Sequence, residues 1–184
     1  MSIQPPNTTL IIGGARSGKS SFAESLCEQS VSNLIYIATS PRFDDDAEMV
    51  DRIEQHRARR GPRWHAIEEQ IALTDIIQRH DAPDNAILID CMTLWLNNLL
   101  YRKLPLDQQF AALVAALKGT TAKIVLISNE VGQGVVPSTS EGRHFRDHQG
   151  RLNQTLASCC DRVIEVKAGL PLQLKPINQP PIKL

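Results

Sequence analysis

Eight residues, Gly13-Gly14-Ala15-Arg16-Ser17-Gly18-Lys19-Ser20, limit what this chain can fold into more than any other stretch. They satisfy the pattern GxxxxGK[ST], between an aliphatic run, Thr8 to Ile12, and a segment of helical spacing, Lys19 to Gln29. In that setting the glycines let successive backbone N–H groups turn toward one anion, and the start of the helix adds partial positive charge. Lys19 then reaches the outer phosphates and the Ser20 hydroxyl ligates Mg²⁺. The motif therefore asks for a strand, a loop and a helix in a layered α/β fold, with the ligand at the carboxyl end of the strand. A chance glycine turn carrying Lys-Ser would need neither neighbour.

The rest of the chain supplies the matching pieces. Short aliphatic runs read as buried strands at Thr8 to Ile12, Leu34 to Ile37, Ala86 to Ile89, Ile124 to Ser128 and Val163 to Val166, with a further candidate at Leu172 to Lys175. Helix-period segments lie between them: Lys19 to Gln29, Asp46 to Arg60, Glu69 to His80, Thr93 to Tyr101, Asp107 to Lys118 and Arg143 to Cys160. Alternation of this kind predicts a mainly parallel sheet covered by helices on both faces, a P-loop NTPase-like three-layer α/β fold. With 184 residues, and no repeat or linker between cores, one domain is expected over 1–184.

Composition removes several functions. Lys plus Arg and Asp plus Glu both count 20, so no net field draws in nucleic acid or an anionic membrane, and 4% aromatics offer no base-stacking platform. No apolar run approaches a membrane span, and Met1 to Leu10 has no signal-type segment, so the expectation is a cytoplasmic protein without membrane insertion. Cys27, Cys91, Cys159 and Cys160 form no CxxC pair and read as buried free thiols. His144 and His148 have i, i+4 spacing, but no Glu follows His144 and no third ligand is evident, so zinc is not expected.

Two further groups carry candidate chemistry. Asp90 ends the run Ile87-Leu88-Ile89 and is the candidate Mg²⁺ carboxylate beside Ser20; the plainer reading is a cap on the next helix. In the segment 44–60, Met49, Ile53 and His56 fall at i, i+4 and i+7, which puts the histidine on the inward stripe, amid Arg52, Arg57, Arg59 and Arg60. Guanidinium groups around an imidazole attract phosphate oxygens and disfavour imidazolium, leaving a neutral nucleophile. Spacing alone leaves an inward strut in a solvated, charged helix as the simpler account.

Several blocks together weight this differently. The phosphate loop, Tyr36-Ile37-Ala38-Thr39, Arg52-Ile53-x-x-His56-Arg57, Asp90-Cys91-Met92-Thr93-Leu94-Trp95, Ser128-Asn129-Glu130-Val131-Gly132, Arg143-His144-Phe145-Arg146-Asp147 and Leu152-Asn153-Gln154 occur in one order. In that combination the chain resembles the bifunctional adenosylcobinamide kinase and adenosylcobinamide-phosphate guanylyltransferase family, over nearly its whole length. The resemblance implies that His56 takes GMP from GTP as a covalent intermediate and passes it to adenosylcobinamide phosphate, in adenosylcobalamin assembly. It also implies a kinase step on adenosylcobinamide, with ATP and GTP as co-substrates and Mg²⁺ as cofactor.

By the same resemblance the nucleotide contacts extend from Gly13, Gly14, Ala15, Arg16, Ser17, Gly18, Lys19 and Ser20 to Ala38, Thr39, Ser40, Arg57, Ala58, Arg59, Arg60, Glu68 and Asp90. His56 and Lys19 are the catalytic candidates, and a homo-oligomer, a trimer, is implied. Glu68 suits hydrogen bonds from a guanine edge or ribose, though an acid at a helix N-terminus would look the same. Asn129 to Pro137 reads as a substrate-facing loop or a subunit contact. Arg143 and Arg146, on adjacent turns of a helix, could meet corrinoid phosphate or a neighbouring subunit, but each alone reads as solvated surface. The competing functions are a small-molecule kinase without guanylyl transfer, in which His56 has no task, and a nucleotide-dependent switch or assembly protein.

Overall fold

A computed structural model describes residues 7–30, 33–40 and 61–176. The expected helix Asp46 to Arg60, with His56, Arg57, Ala58, Arg59 and Arg60, lies outside the described residues.

Seven strands form one sheet: β1 (Thr8–Gly13), β2 (Asn33–Ala38), β3 (Trp64–Glu68), β4 (Asn85–Asp90), β5 (Lys123–Asn129), β6 (Arg162–Lys167) and β7 (Leu170–Lys175). Their order is β3-β2-β4-β5-β1-β6-β7, parallel throughout except for β7, which runs antiparallel to β6. The helices are α1 (Lys19–Glu28), α2 (Leu73–Arg79), α3 (Met92–Tyr101), α4 (Leu106–Gly119) and α5 (Ser140–Cys159). Because strand side chains alternate, each strand feeds two cores. Leu10, Ile35, Ile37, Ile87, Ile89, Ile124 and Leu126 pack with α2 to α5 on one face. Ile11, Leu34, Tyr36, Leu88, Val125 and Ile127 pack with Ala23 and Cys27 of α1 on the other. Helices cover both faces, as the alternating pattern requires.

The strand β3 is absent from the sequence expectation. Trp-His-Ala-Ile-Glu has no aliphatic run, and β3 is an edge strand whose side chains are partly or fully exposed, so its pattern resembles a surface loop. Pairing with β2 is what makes it a strand. Two helix starts differ from expectation by more than a single residue. The segment expected from Glu69 becomes helical only at Leu73, because the Glu69 carboxylate accepts the N–H groups of Ile71 and Ala72, both at 2.8 Å, and shapes a turn first. The last helix starts at Ser140 rather than Arg143, since the Thr139 hydroxyl accepts the Gly142 N–H at 3.1 Å and caps it.

Trp95, 1% exposed, anchors the larger core: its indole N–H donates to the Ile71 carbonyl at 2.9 Å and its ring packs on Phe110 at 6.0 Å. Of the four free cysteines Cys27, Cys91 and Cys160 are buried, as expected, and Cys159 is only half-buried. Burial first, then nearby carboxylates, pushes the Cys27 thiol up to about 12. Among the described residues no helix is long and apolar enough to cross a membrane.

Two acids tie the amino-terminal edge of the sheet together. Asp161 Oδ2 accepts the N–H groups of Asn7 and Thr8 and the Thr8 hydroxyl, each at 3.0 Å. Asp81 Oδ1 accepts the Thr120 and Thr121 hydroxyls and the N–H groups of Thr121 and Ala122. Burial alone would raise both carboxyls, but these hydrogen bonds outweigh it and hold both below the usual carboxylate value. A depressed folded value stabilises the fold above the unfolded pKa, about 3.9, and that contribution drains as pH falls through the folded value. Both groups are largely exposed, so solvent screening limits each to roughly 1 kcal/mol. Urea unfolding should therefore find Asp161→Ala less stable than wild type by about that amount at pH 7. At pH 3 the gap should narrow, and an equal gap at both pH values would contradict the assignment.

Candidate nucleotide-binding site

The loop after β1 is built by close approach. A Cβ on Gly13 would stand 2.5 Å from the Val166 carbonyl oxygen of β6 and 2.7 Å from Ser17 Oγ, so only glycine fits. Gly18 has φ 93° and lies against Gly169, where an added Cβ would meet the Gly169 Cα at 3.2 Å. The Ser17 N–H donates to the Gly14 carbonyl at 3.3 Å, closing the turn. From one side the Gly169 N–H donates to the Ser17 carbonyl at 2.8 Å, and from the other the Glu130 N–H donates to the Gly13 carbonyl at 3.1 Å. The β5 and β6–β7 connections thus grip the loop from both flanks.

Helix α1 follows with Gly18 as its N-cap and no side-chain cap, so its first N–H groups are left for whatever the loop encloses. Lys19, 8% exposed, bends back over the loop, its Nζ donating to the Gly14 carbonyl at 3.0 Å. Gly14, Ala15 and Arg16 are exposed along the rim, Ser17 and Ser20 half-buried. The expected cradle residues, Gly13 to Ser20, all lie in this one turn and the first residues of α1.

The carboxyl edge of the sheet places the acids beside it. Ala38 is in register with Glu68 on one side and Asp90 on the other, and Asp90 with Ile127. Registered neighbours in a parallel sheet point to the same face, and Ile127 faces α1. Glu68, Ala38 and Asp90 therefore share the face on which α1 begins, with Glu68 and Asp90 roughly 10 Å apart across two strand spacings. The Tyr36 hydroxyl donates to Asp90 Oδ2 at 3.2 Å and fixes its rotamer. Asp90 does not cap the next helix, whose N-cap is Cys91, and Glu68 closes β3 rather than opening a helix.

Behind this row the backbone is locked. The Thr39 hydroxyl donates to the Cys91 carbonyl at 2.7 Å and accepts the Cys91 N–H at 2.8 Å, fully buried, while Asn98 Nδ2 donates to the Thr39 carbonyl at 2.8 Å. Thr39 thus uses its side chain to join the ends of β2 and β4, and Ala38 and Ser40 are left half-exposed beside it. Burial first, then the Asp90 charge, raises the Cys91 thiol to about 11, so it stays protonated.

Sequence reasoning missed several contributors. Ala168 and Gly169 have φ values of 52° and 80°, the turn of the β6–β7 hairpin that presses on the loop. The Ala-Gly pair between two short strands was the available signal. Tyr36 stood in a quoted block without a role, since its reach to Asp90 depends on the β2–β4 register. Arg143 is not idle surface: its Nη1 donates to the carbonyls of Pro137 and Ser138 and pins the exposed loop after β5 to α5.

A glycine loop gripped at the end of a central parallel strand, an uncapped helix start, a buried lysine and a fixed carboxylate define a phosphate-loop nucleotide-binding protein. Residues 9–174 match the family described as cobinamide kinase / cobinamide phosphate guanyltransferase, and the chain belongs to that family. A bifunctional adenosylcobalamin biosynthesis protein CobP of Pseudomonas aeruginosa is 44% identical over 168 residues, covering 90% of this chain and 96% of its own length. The corresponding protein CobU of Escherichia coli K12 is 38% identical over 181 residues, covering 90% and 98%, and that of Salmonella typhimurium 39% over 181 residues, with the same shares. Among solved structures, an ATPase of a bacterial type III secretion system superposes with TM-score 0.53 at 14% identity, over 86% of this chain and 50% of that one. The assembled secretion ATPase EscN from enteropathogenic E. coli gives TM-score 0.54 at 13% identity, over 89% and 43%. Likeness at that level establishes the fold alone, which is that of P-loop ATPases.

The loop geometry separates two neighbouring glycines. Gly13→Ala must displace the Val166 carbonyl or Ser17, costing about 1–3 kcal/mol of stability and weakening nucleotide binding at least tenfold. Gly14→Ala has open space around its Cβ and should keep wild-type stability. Thermal unfolding with a fluorescent-nucleotide titration checks both, and equal behaviour of the two variants would refute the close-approach argument.

Proposed function

We propose that this chain phosphorylates adenosylcobinamide and then guanylylates adenosylcobinamide phosphate to adenosyl-GDP-cobinamide, with both activities on one domain. The observation that carries this is the family match across residues 9–174, which spans both the phosphate loop and His56. In the kinase step the substrate hydroxyl attacks the γ-phosphorus and the nucleoside diphosphate leaves. Lys19, the loop amides and the start of α1 hold the phosphate oxygens where negative charge gathers.

The Ser20 hydroxyl, in the first turn of α1, and the Asp90 carboxylate, at the end of β4 on the sheet face that α1 covers, are hard oxygen donors of the kind Mg²⁺ takes. Bound there, Mg²⁺ would neutralise phosphate charge. Tyr36 holds Asp90 in place for it.

In the guanylyl step the His56 imidazole attacks the GTP α-phosphorus, pyrophosphate leaves, and a phosphoramidate to GMP forms. A phosphate oxygen of adenosylcobinamide phosphate then attacks that phosphorus and the imidazole departs. Arg57, Ala58, Arg59 and Arg60 line the nucleotide beside His56 in this reading, and Ala38, Thr39, Ser40 and Glu68 carry its ribose and guanine end. The position of Glu68 at the α1-facing edge, clear of the phosphate loop, supports that division. We take the protein to be a cytoplasmic homo-trimer; exposed Val135, Val136, Leu170 and Leu172 offer apolar surface for subunit contact.

Incubation with Mg²⁺ and GTP labelled at the α or γ position, followed by denaturation, tests the covalent step. Wild type should retain α label only, in an acid-labile bond, and His56→Ala should lose it by more than a hundredfold while still phosphorylating adenosylcobinamide. Label that survives in His56→Ala, or none on a wild type that binds GTP, would remove the guanylyl-histidine step.

A further inference from the structure

Asn129, the last residue of β5, is held more firmly than anything its own side chain explains. Its N–H donates to the Thr93 hydroxyl of α3 at 2.9 Å, and its carbonyl accepts Asn153 Nδ2 of α5 at 3.1 Å. The next N–H, that of Glu130, donates to the Gly13 carbonyl at 3.1 Å. Asn153 is itself fixed: the Ser128 hydroxyl donates to its Oδ1 at 2.6 Å, and Gln149 Nε2 donates to the same oxygen at 3.0 Å and to Ser128 Oγ at 2.9 Å. Ser128 and Gln149 are 0% exposed. A buried polar network of this kind rigidifies the backbone it holds.

What it holds is a half-exposed carboxamide that makes no hydrogen bond among the described residues. Alternation along β5 sends Ser128 toward α5 and Asn129, with Val125 and Ile127, toward the α1 face. Asn129 is in register with Gly13, and Asp90 with Ile127, one strand over and two residues back. The carboxamide therefore stands on the face where Lys19, Ser20 and Asp90 gather, between the phosphate loop and the carboxylate.

We propose that Asn129 is a further ligand-contacting residue of this site, its Nδ2 donating to an oxygen of the terminal phosphoryl group of the bound nucleoside triphosphate. The inference rests on the kinase reading above and adds a residue to it. An amide suits the place: it donates to an anionic oxygen without adding a charge that would bind Mg²⁺ or compete with Lys19. A contact to the terminal phosphate separates triphosphate from diphosphate, which a residue that merely supports the fold cannot do.

Displacement of a fluorescent nucleotide by Mg-ATP and Mg-ADP measures this in the intact protein, for wild type, Asn129→Ala and Asn129→Asp. Asn129→Ala should weaken Mg-ATP about tenfold, as for a hydrogen bond to a charged group, and leave Mg-ADP within about twofold. Asn129→Asp, nearly the same in shape but anionic, should weaken Mg-ATP further and again spare Mg-ADP. Both variants should unfold at the wild-type temperature, because no partner of the side chain is lost. An unchanged ratio of ATP to ADP affinity in both variants, whether both affinities fall together or neither falls, overturns the proposal while leaving the nucleotide site standing. A wild type that binds neither nucleotide overturns the kinase reading itself.

Discussion

The site depends on the absence of one atom. Gly13 lets the carbonyl of Val166 and the hydroxyl of Ser17 come closer than a Cβ would permit, and this draws the loop down onto the β1–β6 seam. Once seated there, the loop can be gripped by N–H groups from Gly169 and Glu130, each bonded to a loop carbonyl. Those bonds fix the backbone of a loop type whose amides turn toward one anion. Preorganisation of this kind matters for phosphoryl transfer, where the protein does little covalent chemistry and works mainly by positioning charge.

Around that seat the sheet acts as a ruler. Parallel register sets Glu68, Ala38 and Asp90 in one row on the α1 face, and β5 and β1 place Asn129 level with Gly13. The ends of β2, β4 and β5 are tied to one another through Thr39, Asn98, Thr93 and Asn153, all buried polar side chains bonded to backbone groups. Polar groups at this depth are costly unless satisfied, so each bond removes a way for the carboxyl edge to move. The larger core beneath is centred on Trp95, and the smaller one lies under α1, on the sheet face that carries the row of site residues.

The sequence was legible where pattern and burial coincide. Aliphatic strands such as Ile87 to Ile89 and Ile124 to Ile127 are buried on both faces and appear as unbroken apolar runs, and the glycine motif names its own backbone geometry. Legibility failed at the margins. Trp64 to Glu68 is a strand only because β2 offers its open edge, and a half-exposed strand lacks the apolar signature. The reading of Glu68 as a helix-start acid followed from that omission. Arg143 looked like solvent-facing charge because its acceptors, the carbonyls of Pro137 and Ser138, depend on how a loop folds back.

The chain's own order of residues determined the family, the phosphate loop, the alternation of strands and helices, and the residue types the chemistry needs. These are local or nearly local properties: a turn that only glycine can make, a period of side chains, a lysine placed one residue after a glycine. Tertiary structure alone decided which strands are neighbours, and so which distant residues share an edge. The Tyr36 hydroxyl meets Asp90 across 54 positions, Thr39 meets Cys91 across 52, and the Gly169 N–H reaches the loop at Ser17 from the hairpin that starts on the neighbouring strand β6. Strand order follows from burying both faces at once, a condition on the whole chain that no short segment expresses.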